Sequence, residues 1–395
     1  MDERLRFVKE ALKGDESMTE LCRAYGISRK TGYKVLTRYL ALGPPGLLDR
    51  SRAPRMHPNA VAPELVSAIV ALRGHYPRWG PRKLHARLAG EHPAWPWPAA
   101  STIGSILHRH GLTVPRRRVR RAPPATLSGA ADDGPNAVWS VDFKGWFRTG
   151  DGARCDPLTL ADRASRFLLR CQALTPPDGP RVQPLLETAF REYGLPAALR
   201  SDNGAPFASC AAGGLSRLAV WWVKLGIRPE RITPGHPEEN GRHERLHQTL
   251  KAETARPPQP TLRAQQRAFD TFRQVYNHER PHEALGQRPP AAVYRPSLRP
   301  YPLRVLDPEY PDEAEIRRVR HNGEIKWRSH LIFISEVLAG ELVGVLPQAD
   351  DLWVARFGPV DLGWLDGRTD HLHRPPRGRR RGPVPIPGVL PMCPV

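Results

Sequence analysis

AVWSVDFKGWF, residues 137–147, alternates apolar and polar side chains with a period of two. That period belongs to a half-buried strand, with Trp139, Val141 and Phe143 on one face and Asp142 on the other. DPLTLADRASRFLLRCQAL (156–174) then predicts two more strands around a turn at Asp162–Ser165. VQPLLETAFREYG (182–194) predicts a helix closed by Gly194, and PAALRSDNG (196–204) a short strand running into a turn. GLSRLAVWWVKLG (214–226) is an amphipathic helix with Trp221 and Trp222 in the core, IRPERIT (227–233) a short edge strand, and PGHPEENG (234–241) a loop. GRHERLHQTLKAETA (241–255) and LRAQQRAFDTFRQVYNH (262–278) are the last helices of the series. Three strands, a helix, a strand, a helix, a strand and two helices predict an α/β mixed sheet with helices on its faces, over 136–295.

The segments on either side have different periods. Residues 3–13 predict a helix with Leu5, Val8 and Leu12 on one side. In MTELCRAYGISRKTGYKVLTRYL (18–40), Leu21, Cys22 and Tyr25 face inward, Gly26 permits a tight turn, and Ser28 caps a helix carrying Val35, Leu36 and Tyr39. Helix, turn, helix over 1–48 is the DNA-reading arrangement, and Arg29, Lys30, Thr31 and Lys34 lie at the end that enters the major groove. A generic helical hairpin with a solvated basic face is the plainer alternative. GPPG (43–46) breaks the helix and 49–59 is a basic linker. Residues 60–113 predict a second helix-turn-helix of winged-helix type: one helix through Leu65, Ala68, Ile69 and Leu72, another from Pro81, and a third capped by Ser101 or Thr102 and ended by Gly111. Residues 114–135 form a linker in which Arg116, Arg117 and Arg118 track phosphates. EIRRVRHNGEIKW (315–327) predicts a hairpin at Asn322-Gly323, and further strands make 312–367 a small β-barrel-like domain, a small sheet or an SH3-like barrel. Residues 368–395 are expected to be a disordered basic tail.

The net charge of +20 sits at the two ends of the chain. Residues 1–121 carry 23 Lys and Arg against 9 Asp and Glu, and 368–395 carry 6 against 1, while 122–367 are nearly balanced. A composition that was merely arginine-rich would spread evenly, so the distribution points to a polyanion held by the N-terminal third. No apolar run is long enough to span a membrane, no signal peptide is evident, and the five scattered cysteines form no CxxC. A cytoplasmic, nucleoid-associated protein with reduced thiols is the resulting expectation.

Three carboxylates stand where chemistry would use them. Asp142 lies within the first strand, Asp202 just past the end of another, and Glu244 in the first turn of a helix on the face shared with Gln248 and Lys251. Mg²⁺ takes a few carboxylates plus water and phosphate oxygens, and three convergent carboxylates suit two-metal phosphodiester displacement.

WSVDFKGWF, RSDNGAPFAS, PGHPEENGRHERLHQTLK and YNHERPHEALGQRPPAAVY together resemble the DDE transposases of bacterial insertion sequences, whose core is the retroviral-integrase catalytic domain. The resemblance implies an RNase H-like fold and a catalytic, metal-holding triad of Asp142, Asp202 and Glu244, with Glu238 or Glu239 as the alternatives to Glu244. Two Mg²⁺ ions per site, or Mn²⁺ in their place, follow from it. The family would place Lys251 over the DNA end. Gln248 shares its helix face, and His236 and His243 are expected to contact DNA rather than a metal. Asp162, in DRASR (162–166), is expected to shape a turn, and Tyr276, Asn277, Arg280 and His282 to pack near the active site. The resulting reading is a transposase that binds terminal inverted repeats, cuts DNA with metal-activated water and joins the freed 3′-hydroxyl to target DNA, as at least a dimer. It implies no membrane and no small-molecule substrate. A metal-dependent nuclease or resolvase on the same core is the first rival, and a DNA-binding regulator with a relic core the second.

Overall fold

A computed structural model describes residues 2–49, 60–113, 134–209, 211–232, 241–349, 351–367 and 371–374. Arg116, Arg117, Arg118, His236, Glu238, Glu239 and both proposed basic linkers, but for their end residues, lie outside them, as does most of the C-terminal tail. The chain divides into two compact units, Met1–Ala62 and Pro63–Val395.

The first unit is three helices, α1 (Asp2–Lys13), α2 (Met18–Ala24) and α3 (Arg29–Leu42), around Phe7, Val8, Leu21, Cys22 and Leu47. Phe7 takes the inward place expected of Leu12, which is 52% exposed. Gly26 turns the chain at φ 63°, and the Ser28 hydroxyl accepts the Thr31 N–H to cap α3. Gly32 lets α3 close on its neighbours, since a Cβ there would stand 2.5 Å from Cys22 Sγ and 2.9 Å from Phe7 Cζ.

The second unit begins with three more helices, α4 (Pro63–His75), α5 (Pro81–Glu91) and α6 (Ala100–Arg109). Pro81 opens α5 as expected. The cap of α6 is Ala99, not Ser101 or Thr102: two alanines start the helix early and put both hydroxyl residues inside its first turn. Among the described residues no strand follows α6 to make a wing.

The central sheet takes β1 (Val138–Phe143), β2 (Phe147–Arg148), β3 (Arg154–Asp162), β4 (Leu168–Leu174), β5 (Ala198–Ser201) and β6 (Arg228–Arg231). β3 runs antiparallel to β1, β2 and β4, while β1, β5 and β6 are mutually parallel, so the sheet is mixed. Helices α7 (Gly179–Tyr193) and α8 (Arg217–Lys224) cover one face over Trp139, Val141, Leu158 and Leu160. Helices α9 (Gly241–Thr254) and α10 (Leu262–His278) cover the other over Cys155, Ala161, Leu168 and Cys171.

Beyond them β7 (Glu315–Arg318), β8 (Glu324–Trp327), β9 (His330–Phe333), β10 (Leu342–Ala349), β11 (Leu352–Phe357), β12 (Val360–Asp366) and β13 (Leu372–His373) form two small sheets. The expected hairpin over 315–327 does not form: β7 pairs with β10 and β8 with β9. The turn itself exists, with Gly323 at φ 84°, but the Gly323 carbonyl accepts the N–H groups of Ile334 and Ser335 and draws the chain toward β9. Among the described residues the strand order β13-β12-β11-β10-β7 is an open sheet, the first of the two expected forms, and β13 recruits two residues expected in the tail.

Candidate active site

The period of two that made β1 a strand also sorts its chemistry. Trp139 and Val141 enter the core, so Ser140 and Asp142 face the side covered by α9. β1 and β5 pair in parallel through Ser140↔Arg200, so Asp142 and Asp202 each lie two residues past that pair, at the carboxyl ends of neighbouring strands. Such strand ends are where mixed sheets gather ligands. Asp202 turns back on its own loop, where Oδ1 accepts the Gly204 N–H at 3.2 Å. Burial pushes its carboxyl above the usual range, partly offset by that hydrogen bond.

Helix α9 crosses this edge by a pair of buried histidines. His243 and His247 are one turn apart and stand edge to face, ring centroids 4.6 Å apart. Ser140 Oγ lies 2.8 Å from His243 Nδ1. Thr159 Oγ1, on β3 directly opposite Asp142, lies 2.6 Å from His243 Nε2 and 2.7 Å from His247 Nε2. His247 Nδ1 is 3.9 Å from Asp142 Oδ2. Burial, with Arg163 beside the ring, lowers His243 to about 3. Burial, then His243 and Lys144, lowers His247 to about 2. Both rings are therefore neutral near pH 7, and the approach of His247 to Asp142 is not an ion pair.

The expectation that His243 contacts DNA fails on this geometry. It is 2% exposed and both its ring nitrogens meet hydroxyls of the sheet. Gln248 and Lys251 are exposed on α9, as is Glu244 between the two histidines. Atoms of Asp142, His243 and His247 lie within 4.8 Å of one another, the one such group among the described residues, and Asp202 and Glu244 stand outside it. A divalent cation fits the donor chemistry of this edge, with an anionic oxygen from Asp142 and a neutral imidazole from His247. His247 was not assigned to the site from sequence and His243 only as a DNA contact, because the partners Ser140 and Thr159 are 103 and 84 residues away from His243. Their i, i+4 spacing on a predicted helix was the available signal.

Asp162 has the turn role expected of it. Its Oδ1 accepts from the N–H and hydroxyl of Ser165, and its Oδ2 from the Asn136 N–H. Asn277 brackets Leu168, accepting its N–H and donating to its carbonyl. Arg280 pairs with Glu253 at 2.7 Å. Helix α5 reaches the same corner: Tyr76, just ahead of it, donates to Glu279, Lys83 donates to the Pro281 carbonyl, and Arg82 pairs with Glu283 at 2.6 Å. On the first unit, Arg29, Lys30, Thr31 and Lys34 are all exposed on the first two turns of α3. In α6, Ser101 is exposed and Thr102 half-buried.

Comparison with known proteins finds helix-turn-helix models in the N-terminal third and integrase-core models after it. Residues 132–237 and 225–290 match two models of the integrase core domain. Residues 3–55 match a helix-turn-helix domain and 31–107 a homeodomain-like domain. The chain is 30% identical over 239 residues to an uncharacterised 31.7 kDa protein of insertion element IS407 from Burkholderia multivorans, covering 60% of this chain and 81% of that one. It is 29% identical over 236 residues to an uncharacterised 39.2 kDa protein of insertion element IS476 from Xanthomonas euvesicatoria, covering 59% of this chain and 65%, just under two thirds, of that one. Among solved structures, a simian T-cell lymphotropic virus intasome chain aligns at 17% identity over 79% of this chain and 100% of its own, with a TM-score of 0.35. The HTLV-2 integrase catalytic core domain with magnesium aligns at 14% identity over 41% and 99%, with a TM-score of 0.33.

Proposed function

Because the chain belongs to the insertion-element transposases with a retroviral-integrase-type core, we propose that it binds the terminal inverted repeats of its own element and cuts and joins DNA there. What supports this reading is that β1 and β5 are adjacent parallel strands with Asp142 and Asp202 at their carboxyl ends, and that His243 ties α9 to β1.

Asp142, Asp202 and Glu244 are the residues proposed to hold two Mg²⁺ ions, with Mn²⁺ as a substitute. Divalent cations so held would activate water and stabilise the leaving oxygen of an in-line displacement. Asp142 and Asp202 supply fixed negative charge from rigid strand ends, and Glu244 supplies it from the exposed side of α9. Gln248 and Lys251 continue that exposed side by one and two turns and would hold the DNA backbone beside the scissile bond. Hydrolysis breaks one phosphodiester and leaves a 3′-hydroxyl. That hydroxyl then attacks a target phosphodiester, forming a new bond and releasing a target 3′-hydroxyl. Arg29, Lys30, Thr31 and Lys34 would read the major groove, with Arg116, Arg117 and Arg118 on phosphates. Ser101 and Thr102, in the first turn of α6, would meet the backbone of the same repeat. Two element ends must be joined together, which requires at least a dimer on DNA.

The test is cleavage and joining of labelled inverted-repeat DNA in Mg²⁺, beside a gel shift on the same DNA. Asp142→Asn, Asp202→Asn and Glu244→Gln should each lower both reactions by at least a hundredfold and leave the gel shift unchanged. Full activity in any of the three variants would overturn the triad. Cleavage without a joined product would identify a nuclease instead.

A further inference from the structure

The hydrogen bonds around His247 carry a consequence for the metal. Thr159 Oγ1 has one proton and three neighbours: His243 Nε2 at 2.6 Å, His247 Nε2 at 2.7 Å and the Asp142 carbonyl at 3.3 Å. One of the two Nε2 atoms must therefore carry its own proton and donate to Thr159. One arrangement gives every donor an acceptor. The Ser140 hydroxyl donates to the Ala161 carbonyl at 3.3 Å, and His243 Nδ1–H donates to Ser140 Oγ at 2.8 Å. The Thr159 hydroxyl donates to His243 Nε2, and His247 Nε2–H donates to Thr159 Oγ1. His247 Nδ1 is then a bare lone pair facing Asp142 Oδ2 across 3.9 Å. The reversed chain puts a proton on Nδ1, but 3.9 Å is beyond hydrogen-bond reach, and the Ala161 carbonyl loses the Ser140 proton.

We propose that His247 Nδ1 is a nitrogen ligand of the divalent cation held by Asp142, with Thr159, His243 and Ser140 as the positioning relay that fixes its tautomer. A cation placed between the two acceptors would be attracted to both. An ion about 2.1 Å from each donor bridges separations up to about 4.2 Å, which covers the gap. A metal-bound histidine almost always donates its other ring N–H to a fixed acceptor, and Thr159 Oγ1 is that acceptor here. His243 belongs to the relay and not to the ligand set, because both its nitrogens are engaged. The mixed nitrogen and oxygen set favours Mn²⁺ and later divalent metals over Mg²⁺ more than an all-carboxylate set does.

This inference rests on the metal-dependent reading above, and its test separates the two. The full chain is loaded with equimolar Mn²⁺ and studied by pulsed EPR, with natural-abundance and with ¹⁵N-labelled histidine. The expected result is spin-echo modulation from a directly bound nitrogen that changes with the isotope. His247→Asn should remove the modulation and weaken Mn²⁺ binding at least tenfold, with thermal melting as the check on folding. The isotope comparison needs no substitution, so a variant that fails to fold leaves the proposal testable. Mn²⁺ binding that Asp142→Asn abolishes, without isotope-sensitive modulation in the native chain, overturns the role of His247 and leaves the metal enzyme standing. Modulation that persists in folded His247→Asn overturns it equally. Mn²⁺ binding that does not respond to Asp142→Asn overturns both readings.

Discussion

A buried neutral histidine ties stability to pH, and three among the described residues, His243, His247 and His282, bear on this. His243, His247 and His282 are lowered from 6.5 to about 3, about 2 and about 3, in each case chiefly by burial. Above pH 7 the rings are neutral both folded and unfolded, so they add no slope. Below about pH 6.5 the unfolded rings take up protons that the folded ones refuse, and stability falls by ~1.4 kcal/mol per pH unit for each ring. The loss continues until the folded values are reached. Urea midpoints should therefore be flat from pH 7 to 8 and fall steadily from pH 6.5 to 5. His247→Asn should make that fall shallower. An identical slope in the variant would show that His247 is charged, or solvated, in the folded state. His243 and His247 were invisible as a pair in the sequence for a physical reason. A buried polar side chain is defined by its partner, and Ser140 and Thr159 arrive from other strands. The local places of Asp142, Asp202 and Glu244, in a strand, just past a strand end and in a helix's first turn, were legible because those are local patterns.

Elements in this protein pack through small residues and polar clamps at fixed points. Gly32→Ala should cost about 1–3 kcal/mol of unit stability, because its Cβ would meet Cys22 Sγ at 2.5 Å inside a closed helix contact. Asn277→Ala should cost on the order of 2 kcal/mol or more, since it strips both backbone partners from Leu168 and loosens α10 on β4. Chemical denaturation of the two variants checks both values, and a melt unchanged by Gly32→Ala would mean that α3 shifts freely on α2. The order of elements from β1 to α10 was readable, because periods of two and of about four alternate cleanly and Gly194 and Gly226 punctuate them. Pairing was less readable where it depended on remote strands. The Asn322-Gly323 turn marked a true reversal, yet β7 found β10 because Arg317 and Ile316 meet Val343 and Gly344 there. The cap of α6 was misplaced for a smaller reason: hydroxyl residues suggest caps, but Ala99 and Ala100 had already begun the helix.

At the scale of the whole molecule, charge decides how the chain meets DNA. Most of the net +20 lies in the first 121 residues, which carry 23 basic against 9 acidic side chains, while residues 136–295 carry 23 against 16. The lower excess of cations over 136–295 gives weaker backbone contact there, so most of the affinity should reside in the basic third. Each phosphate neutralised on duplex DNA adds about 0.9 to the slope of log affinity against log salt. Arg29, Lys30 and Lys34 are exposed on the opening turns of α3, where a recognition helix faces its groove. Replacing all three by Ala should flatten the salt slope by up to about 2.7 and weaken binding to repeat and random DNA alike. Thr31→Ala removes no charge, so it should leave the slope intact and narrow the preference for the repeat. Asp142→Asn should change neither, because it lies on the sheet of the second unit. Fluorescence anisotropy on repeat and scrambled duplexes between about 50 and 200 mM salt measures all four proteins together. A triple variant whose slope matches the native chain would mean that α3 does not touch the backbone, and that the excess charge acts from elsewhere in the first 121 residues.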